Sequence, residues 1–568
     1  SGNAGDWDTM NTWSQPNVWN SPNSLGINGA KIDWNIVETS HDIFTNRDLT
    51  LLGLVSKAEE LTINGTINAD GSGGTGEMLW ITHYLKLDGV IDLVGESQLI
   101  QKRFDPIQYS ESILDEDSGG YLERDQQGVQ NSYIYNYWSS PVSARGSSNN
   151  AAYTVAAVLK DGTVSSTPRT IKFLPGTYAA DGALTSPITL SNRWIYRFNG
   201  TEDDYNAWVQ IRSGGSLKTG EGYTMKGATG LAGVNDRQNY VFSGKPHNGN
   251  ITLTVNDGDE YLIGNPYPSA LDADEFILDN IKDSGGRNAK NVINGTLYFW
   301  DHFAVVSHVL RQYVGGYAMY NLTGGVSAIS DDYRINHSGA KGTKKPSQYV
   351  AVGQGFFVNT EIESDPRGAD KTIGDPVGGP ILIRNSQRTF KREGEGASIF
   401  FKEANAKSAV AREDSNVKVD TRAKIRLLFD SPNGYHRPLL LGVDERATNN
   451  FDLGFDAPMA DVSVEDMFWM VDGVKAAIQG VPNFNKDQEL PLGLKIAKAG
   501  LVRIKIDALE NIDNDVQMYI KDNATLRYYK INDKPFEMNL EIGDYLDRFS
   551  LTFSPSQKSE QKIEEDSV

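Results

Sequence analysis

The chain has 568 residues, with 74 acidic against 54 basic side chains, and its formal charge of -20 repels phosphate backbones and anionic lipid heads, which argues against nucleic acid as a partner. It has no cysteine, so disulfides, thiolate metal sites and cysteine nucleophiles are excluded together and stability has to come from packing. Its 56 glycines, 10% aromatic residues and repeated Asn-Gly and Asp-Gly pairs describe an all-β chain with tight turns, and about 150 residues per domain divides it into three or four units.

The opening SGNAGDWDTM has neither a basic start nor an apolar segment, which predicts a chain that has lost its signal peptide and been excised from a longer one. No apolar run approaches the roughly 20 residues of a membrane-spanning helix, so no direct membrane insertion is expected. The octad LTINGTIN (Leu61 to Asn68) returns as LKLDGVID (Leu85 to Asp92) with Gly65 and Gly89 in register, and LTLLGLV (Leu49 to Val55) carries Gly53 at the same place. This repetition predicts a β-solenoid-like region over residues 1–125, with Gly65 and Gly89 at equivalent positions of adjacent coils. The alternative is a pair of hairpins turning on Asn64-Gly65 and Asp88-Gly89. The polar, glycine-containing stretch SILDEDSGGYLERDQQG then reads as a boundary.

In NSYIYNYWSSPV, the alternation of Tyr133, Tyr135 and Tyr137 before Trp138 describes a strand whose tyrosines share one face. They form either a sugar-stacking platform or a packed core edge, and packing is the expectation. Short strand patterns such as AYTVAAVL, ITLTV, TLYFWDHF and YVAVGQGFFVN, separated by turn residues, predict a β-sandwich over residues 126–380. Within it only DADEFILDNIKD (Asp272 to Asp283) reads as a helix, and the prolines of GNPYPSALD end a strand and set Tyr267 as a plug. After the glycine- and proline-rich GDPVGGP, strands such as AKIRLLFD, HRPLLLGVD and DMFWMVDG predict a second sandwich over residues 381–555, jelly-roll or immunoglobulin-like as the first, and residues 556–568 form a flexible acidic tail.

SGGTGEM and GAKGTKKP lack the spacing of a phosphate-binding loop, no HExxH or GxSxG string occurs, and His302 and His308, six apart, lack a third ligand. Oxygen-rich turns can hold Ca²⁺, which makes Asp115 and Asp117 of LDEDSGG and Asp257 and Asp259 of NDGDE the candidate metal ligands, although turn chemistry alone explains the same residues. No catalytic or cofactor-binding residue is predicted, Ca²⁺ apart, and the chain is expected not to be an enzyme. A glycosidase would need two opposed carboxylates in one cleft.

The strings YLERDQQGVQNSYIYNYWSSPV, YLIGNPYPSALDADEF, LYFWDHF, GGYAMYNLTGG and VAVGQGFFV, continued by HRPLLLGVDERATNNFDLGFDAP, DMFWMVDG and LDRFSLTF, resemble a module of Bacteroidota (Flavobacterium-like) surface proteins that are cargo of the type IX secretion system. The resemblance runs from about Trp34 to Phe553. It implies the membrane-proximal part of a large adhesin, of the kind associated with gliding motility, on the extracellular face of the outer membrane. The implied partners are the secretion translocon, outer-membrane anchoring proteins and a surface glycan or protein ligand. A C-terminal sorting domain is expected after SLTFSP, where only the acidic tail stands. A glycan-binding module or a glycan-active enzyme of the cell surface is the alternative.

Overall fold

A computed structural model of the chain describes residues 1–14, 35–67, 74–104, 111–176, 181–201, 204–233, 236–304, 307–362, 375–393, 420–459, 461–512 and 516–555, and the expected tail at 556–568 lies outside them. Strand makes up 47% of the structure and helix 6%, so the chain is all-β. It divides into two compact units, one of residues 1–276, 347–357 and 379–412, the other of residues 277–346, 358–378 and 413–568. The chain positions 125/126 and 380/381 both fall inside the first unit.

In the first unit the first ten strands in chain order are β1 (Gly5–Asp6), β2 (Ile36–Thr39), β3 (Ile43–Thr45), β4 (Leu49–Ser56), β5 (Glu60–Ile63), β6 (Met78–Leu87), β7 (Val90–Leu93), β8 (Gln98–Gln101), β9 (Ile113–Leu114) and β10 (Tyr121–Val129). Odd-numbered β1, β3, β5 and β7 pair in parallel in that order, followed by β10. A second parallel sheet runs β2, β4, β6, with β8 and β9 both on β6. From β2 to β8 the chain therefore crosses from one parallel sheet to the other at every strand. Alternating apolar residues explain why: Ile43, Leu61, Ile91 and Leu122 stand opposite one another across the first sheet, and Val37, Leu54, Leu85 and Leu114 across the second, all buried. Each such side chain contributes about 1.5–3 kcal/mol by leaving water.

Leu61 pairs in parallel with Ile43 on one side and Ile91 on the other, so no hairpin turns on Asn64-Gly65. The expected equivalence of Gly65 and Gly89 fails as well. Leu61 belongs to β5 in the first sheet, whereas Leu85, its counterpart in the octad, belongs to β6 in the second. Alternation marks which side of a strand is buried; it carries no label for the sheet that receives it. Both glycines nevertheless mark close approaches between successive turns of chain. A Cβ on Gly65 would lie 2.2 Å from the Val94 carbonyl oxygen, and one on Gly89 would lie 2.6 Å from that of Glu59.

Beyond these strands the same apolar core continues through Trp138, Val142, Tyr153, Leu159, Tyr223 and Phe242. β10 carries the continuity, because it pairs in parallel with β7 and, on its other edge, antiparallel with Arg237–Pro246. The expected helix is present as Ala273–Asn280, shorter than Asp272 to Asp283. The Asp272 carboxylate opens it by accepting the backbone N–H groups of Asp274 (3.0 Å) and Glu275 (3.4 Å). Tyr267 fills the plug position expected of it: it is fully buried, and its hydroxyl donates to the Gly249 carbonyl at 2.6 Å.

The second unit contains an eleven-stranded, near-barrel sheet whose path runs Arg527–Lys530, Tyr519–Asp522, Gly543–Thr552, Glu489–Ile496, Asp466–Val471, Val474–Val481, His436–Val443, Lys424–Asp430, Gly500–Glu510 and Phe536–Leu540, with Ala457–Pro458 alongside Val474–Val481. Its pairs are antiparallel except His436–Val443 with Val474–Val481. Buried in this unit, Arg437 holds Asp466 through two bonds of 2.6 and 2.7 Å and Asp331 through one of 2.6 Å. Burial opposes the guanidinium charge, and the two carboxylates outweigh it, raising its pKa.

Candidate functional site

The side chains that alternate with the buried rows of β1, β3, β5, β7 and β10 point away from the core and form the outer face of the first parallel sheet. Across that face Asp6, Phe44, Thr62, Asp92 and Glu123 stand in one register row. At the β1 end lies an open depression of about 550 Å³ lined by Ala4, Gly5, Asp42, Ile43, Phe44, Glu60 and Thr62. Phe44 is a large apolar side chain left 40% exposed there. The acids are held in place by local bonds: the Glu60 N–H donates to Asp42 Oδ1 (3.2 Å) and the Thr62 hydroxyl to Glu60 Oε1 (2.9 Å).

Toward β10 the face becomes more enclosed. Arg145 pairs with Glu123 at 2.5 Å, donates to Ser243 Oγ and lies 3.4 Å over the Tyr121 ring. Burial, reinforced by the charges of Asp125, Glu60 and Glu123, pushes the Asp92 carboxyl up to about 8. Burial also raises Glu123, against the opposing effect of Ser243 and Arg145. The face thus offers an aromatic surface, hydroxyl and carboxylate acceptors, and one carboxyl that keeps its proton at neutral pH. A second cavity, lined by Glu96, Arg124, Gln126 and Glu393 among others, holds only about 10 Å³, the room of a single water-sized sphere.

The residues singled out from the sequence are placed elsewhere. Asp115, in the turn after β9, accepts the Tyr84 hydroxyl, has the Lys86 ammonium at 3.4 Å and takes the Asp117 backbone N–H at 2.9 Å; its pKa is lowered, chiefly by the Tyr84 bond. Asp257 lies in the turn between Ile251–Val255 and Asp259–Gly264, and Asp259 opens the second of these strands, where it accepts from Asn256 (2.7 Å) and Thr201 (3.4 Å). Among the described residues no three His, Cys, Asp or Glu side chains gather as a metal-ligand group. His302 is buried with its ring against Trp300 and Tyr313, and it does not share a strand with His308.

The tyrosine string is packed. Its strand begins only at Tyr135, so Tyr133 leaves the expected row, and Tyr135–Trp138 pairs with Tyr223–Lys226. Tyr137 lies 5.9 Å from the Phe357 ring and 6.1 Å from Trp208, and Trp138 lies 5.6 Å from Tyr240. The Lys226 ammonium sits over the rings of Tyr135 (4.4 Å) and Trp194 (4.2 Å), and burial pulls its pKa down to about 7. These aromatic faces are spent on one another.

Phe44, Asp42, Glu60, Thr62, Asp92 and Glu123 escaped the sequence reading. The signal was present in IFT, ELTI, VIDL and YLER, where each buried Ile or Leu is followed by an outward residue. Aligning those four strings by their buried residue lists the outward row directly.

Among the described residues no helix is long and apolar enough to cross a membrane. No curated protein and no solved structure matches the chain. A family described as a domain of unknown function (DUF8693) matches residues 179–553, beginning after the strands that carry the outer face. The match spans more than half of the chain, and the chain belongs to this family.

Proposed function

We propose that the protein is a secreted, non-enzymatic surface protein that acts in adhesion: cargo of the type IX secretion system, anchored at the extracellular face of the outer membrane as the membrane-proximal part of a large adhesin and associated with gliding. In this reading the first 125 residues or so are a β-solenoid-like region and the following strands are sandwich-type spacers. The observation that carries it is the use of the aromatic residues, since Tyr137, Phe198, Trp208 and Phe357 pack against one another and Trp138 packs against Tyr240 and Phe242. A strain lacking the gene should lose attachment to surfaces, while the purified chain should turn over no polysaccharide. Normal attachment by that strain sinks the adhesion reading.

One observation favours a second reading, a glycan-active enzyme. Asp92 and Glu123 are register neighbours on adjacent parallel strands and project side by side from the same face, and retaining glycosidases work with a close pair of carboxyl groups. With Asp92 protonated and Glu123 as its partner, they supply an acid and a nucleophile. Polysaccharide turnover abolished by Asp92→Asn or Glu123→Gln would establish this reading over the first.

A further inference from the structure

Resting on the adhesion reading, we infer that the depression on the outer face of the first parallel sheet binds a neutral hexose polysaccharide laid across β1, β3 and β5, with a sugar ring over Phe44 and its hydroxyls donating to Asp42 and Glu60. Three features carry this. The depression holds about 550 Å³, within the range of small-molecule sites and ample for one or two hexose units. Its one aromatic side chain is turned outward, unlike the packed tyrosine string, and an exposed aromatic face suits the C–H surface of a pyranose. Its polar atoms are carboxylates and a hydroxyl, acceptors that match sugar hydroxyls.

The same carboxylates select the class of glycan. Asp42 and Glu60 line the depression without a basic side chain among the lining residues, and Asp92 and Glu123 follow along the face. A uronate or sulfated chain would bring negative charge against this row. Farther along the face Asp92 is neutral at pH 7 and Glu123 is paired with Arg145, so the repulsion of an anionic chain comes from Asp42 and Glu60 in the depression itself. The strand spacing of about 4.8 Å is also close to the length of one hexose, so successive sugars can meet successive strands.

The experiment is titration calorimetry of the purified chain at pH 7 with cellohexaose, laminarihexaose and mannohexaose, and with hexagalacturonate and hexameric alginate as anionic probes. At least one neutral hexamer should bind, the anionic ones at least tenfold more weakly. Phe44→Ala and the pair Asp42→Asn with Glu60→Gln should each weaken binding tenfold or more with an unchanged circular dichroism spectrum, whereas Tyr205→Ala, at an exposed tyrosine outside the depression, should not. Equal or tighter binding of an anionic hexamer, full affinity in Phe44→Ala, or no binding of any neutral hexamer overturns the inference. Attachment lost in the deletion strain but retained by cells carrying Phe44→Ala would reject this site and leave the adhesion reading standing.

Discussion

The outer face of the first parallel sheet and the interior of the eleven-stranded sheet's unit both gather carboxylates, and they handle the charge in opposite ways. On the face, Asp92 keeps a proton because it is largely buried and has acidic neighbours, while Arg145 meets Glu123 at the margin of solvent. In the interior, Asp466 and Asp331 stay with Arg437, whose guanidinium is itself buried and bonded to both. A carboxylate taken out of water either keeps its proton, as Asp92 does, or needs a fixed cation, as Asp466 does. The face keeps Asp42 and Glu60 in an open depression where a ligand can reach them, whereas both oxygens of Asp466 are used for structure by Arg437, Ser463 and Met467.

The largest effect that would break this contrast is Arg437→Ala. It strands two buried carboxylates and should cost about 3–5 kcal/mol, read by urea unfolding, with hydrogen exchange rising first in the strands of the second unit. A loss below 1 kcal/mol would mean that the triad is not sealed from water. Next, Gly65→Ala tests whether the parallel strands depend on backbone contact, since the added methyl meets the Val94 and Thr75 carbonyl oxygens at 2.2 and 2.4 Å. The expected loss is about 1–3 kcal/mol, confined to protection of β5 and its neighbours.

The pH dependence of stability sharpens the contrast further. Asp92 has a folded pKa of about 8 against an ordinary carboxyl value of 3.8, so the folded chain holds a proton that the unfolded chain has released. Its effect is therefore a stability that falls as pH rises from about 4 to 8, by about 1 kcal/mol over the last unit. Asp92→Asn should flatten that part of the profile; an unchanged slope would show that Asp92 is ionised in the folded chain. The smallest effect is expected at Arg503, whose guanidinium meets Glu537 at the same 2.6 Å as Arg437 meets Asp466 but about half exposed. Arg503→Ala should cost less than about 1 kcal/mol and lose even that at high salt.

Much of the local structure was legible in the residues. Pro266 and Pro268 deny ladder donors and stop a strand, which left Tyr267 to plug its end. DADEFILDNIKD read as a helix from Asp272, and the observed helix starts one residue later with the Asp272 carboxylate as its cap. The candidate site was less legible. Asp115, Asp117, Asp257 and Asp259 stand where acids crowd together in sequence, while the face is made of acids far apart in the chain, Glu60, Asp92 and Glu123 within strands and Asp42 just before one.

What the sequence determined by itself was local: strand over helix, the buried side of the alternating strands such as Ile43–Thr45, Glu60–Ile63 and Val90–Leu93, and the helix at Ala273. Those follow from dihedral preferences and from a two-residue period that each segment carries within itself. Only the tertiary structure decided that Leu61 and Leu85, alike in sequence, enter different sheets, that Asp92 meets Glu123, and that Arg437 meets Asp466 and Asp331. Partner choice between strands depends on how whole faces fill a shared core, a sum over distant residues that no short string contains.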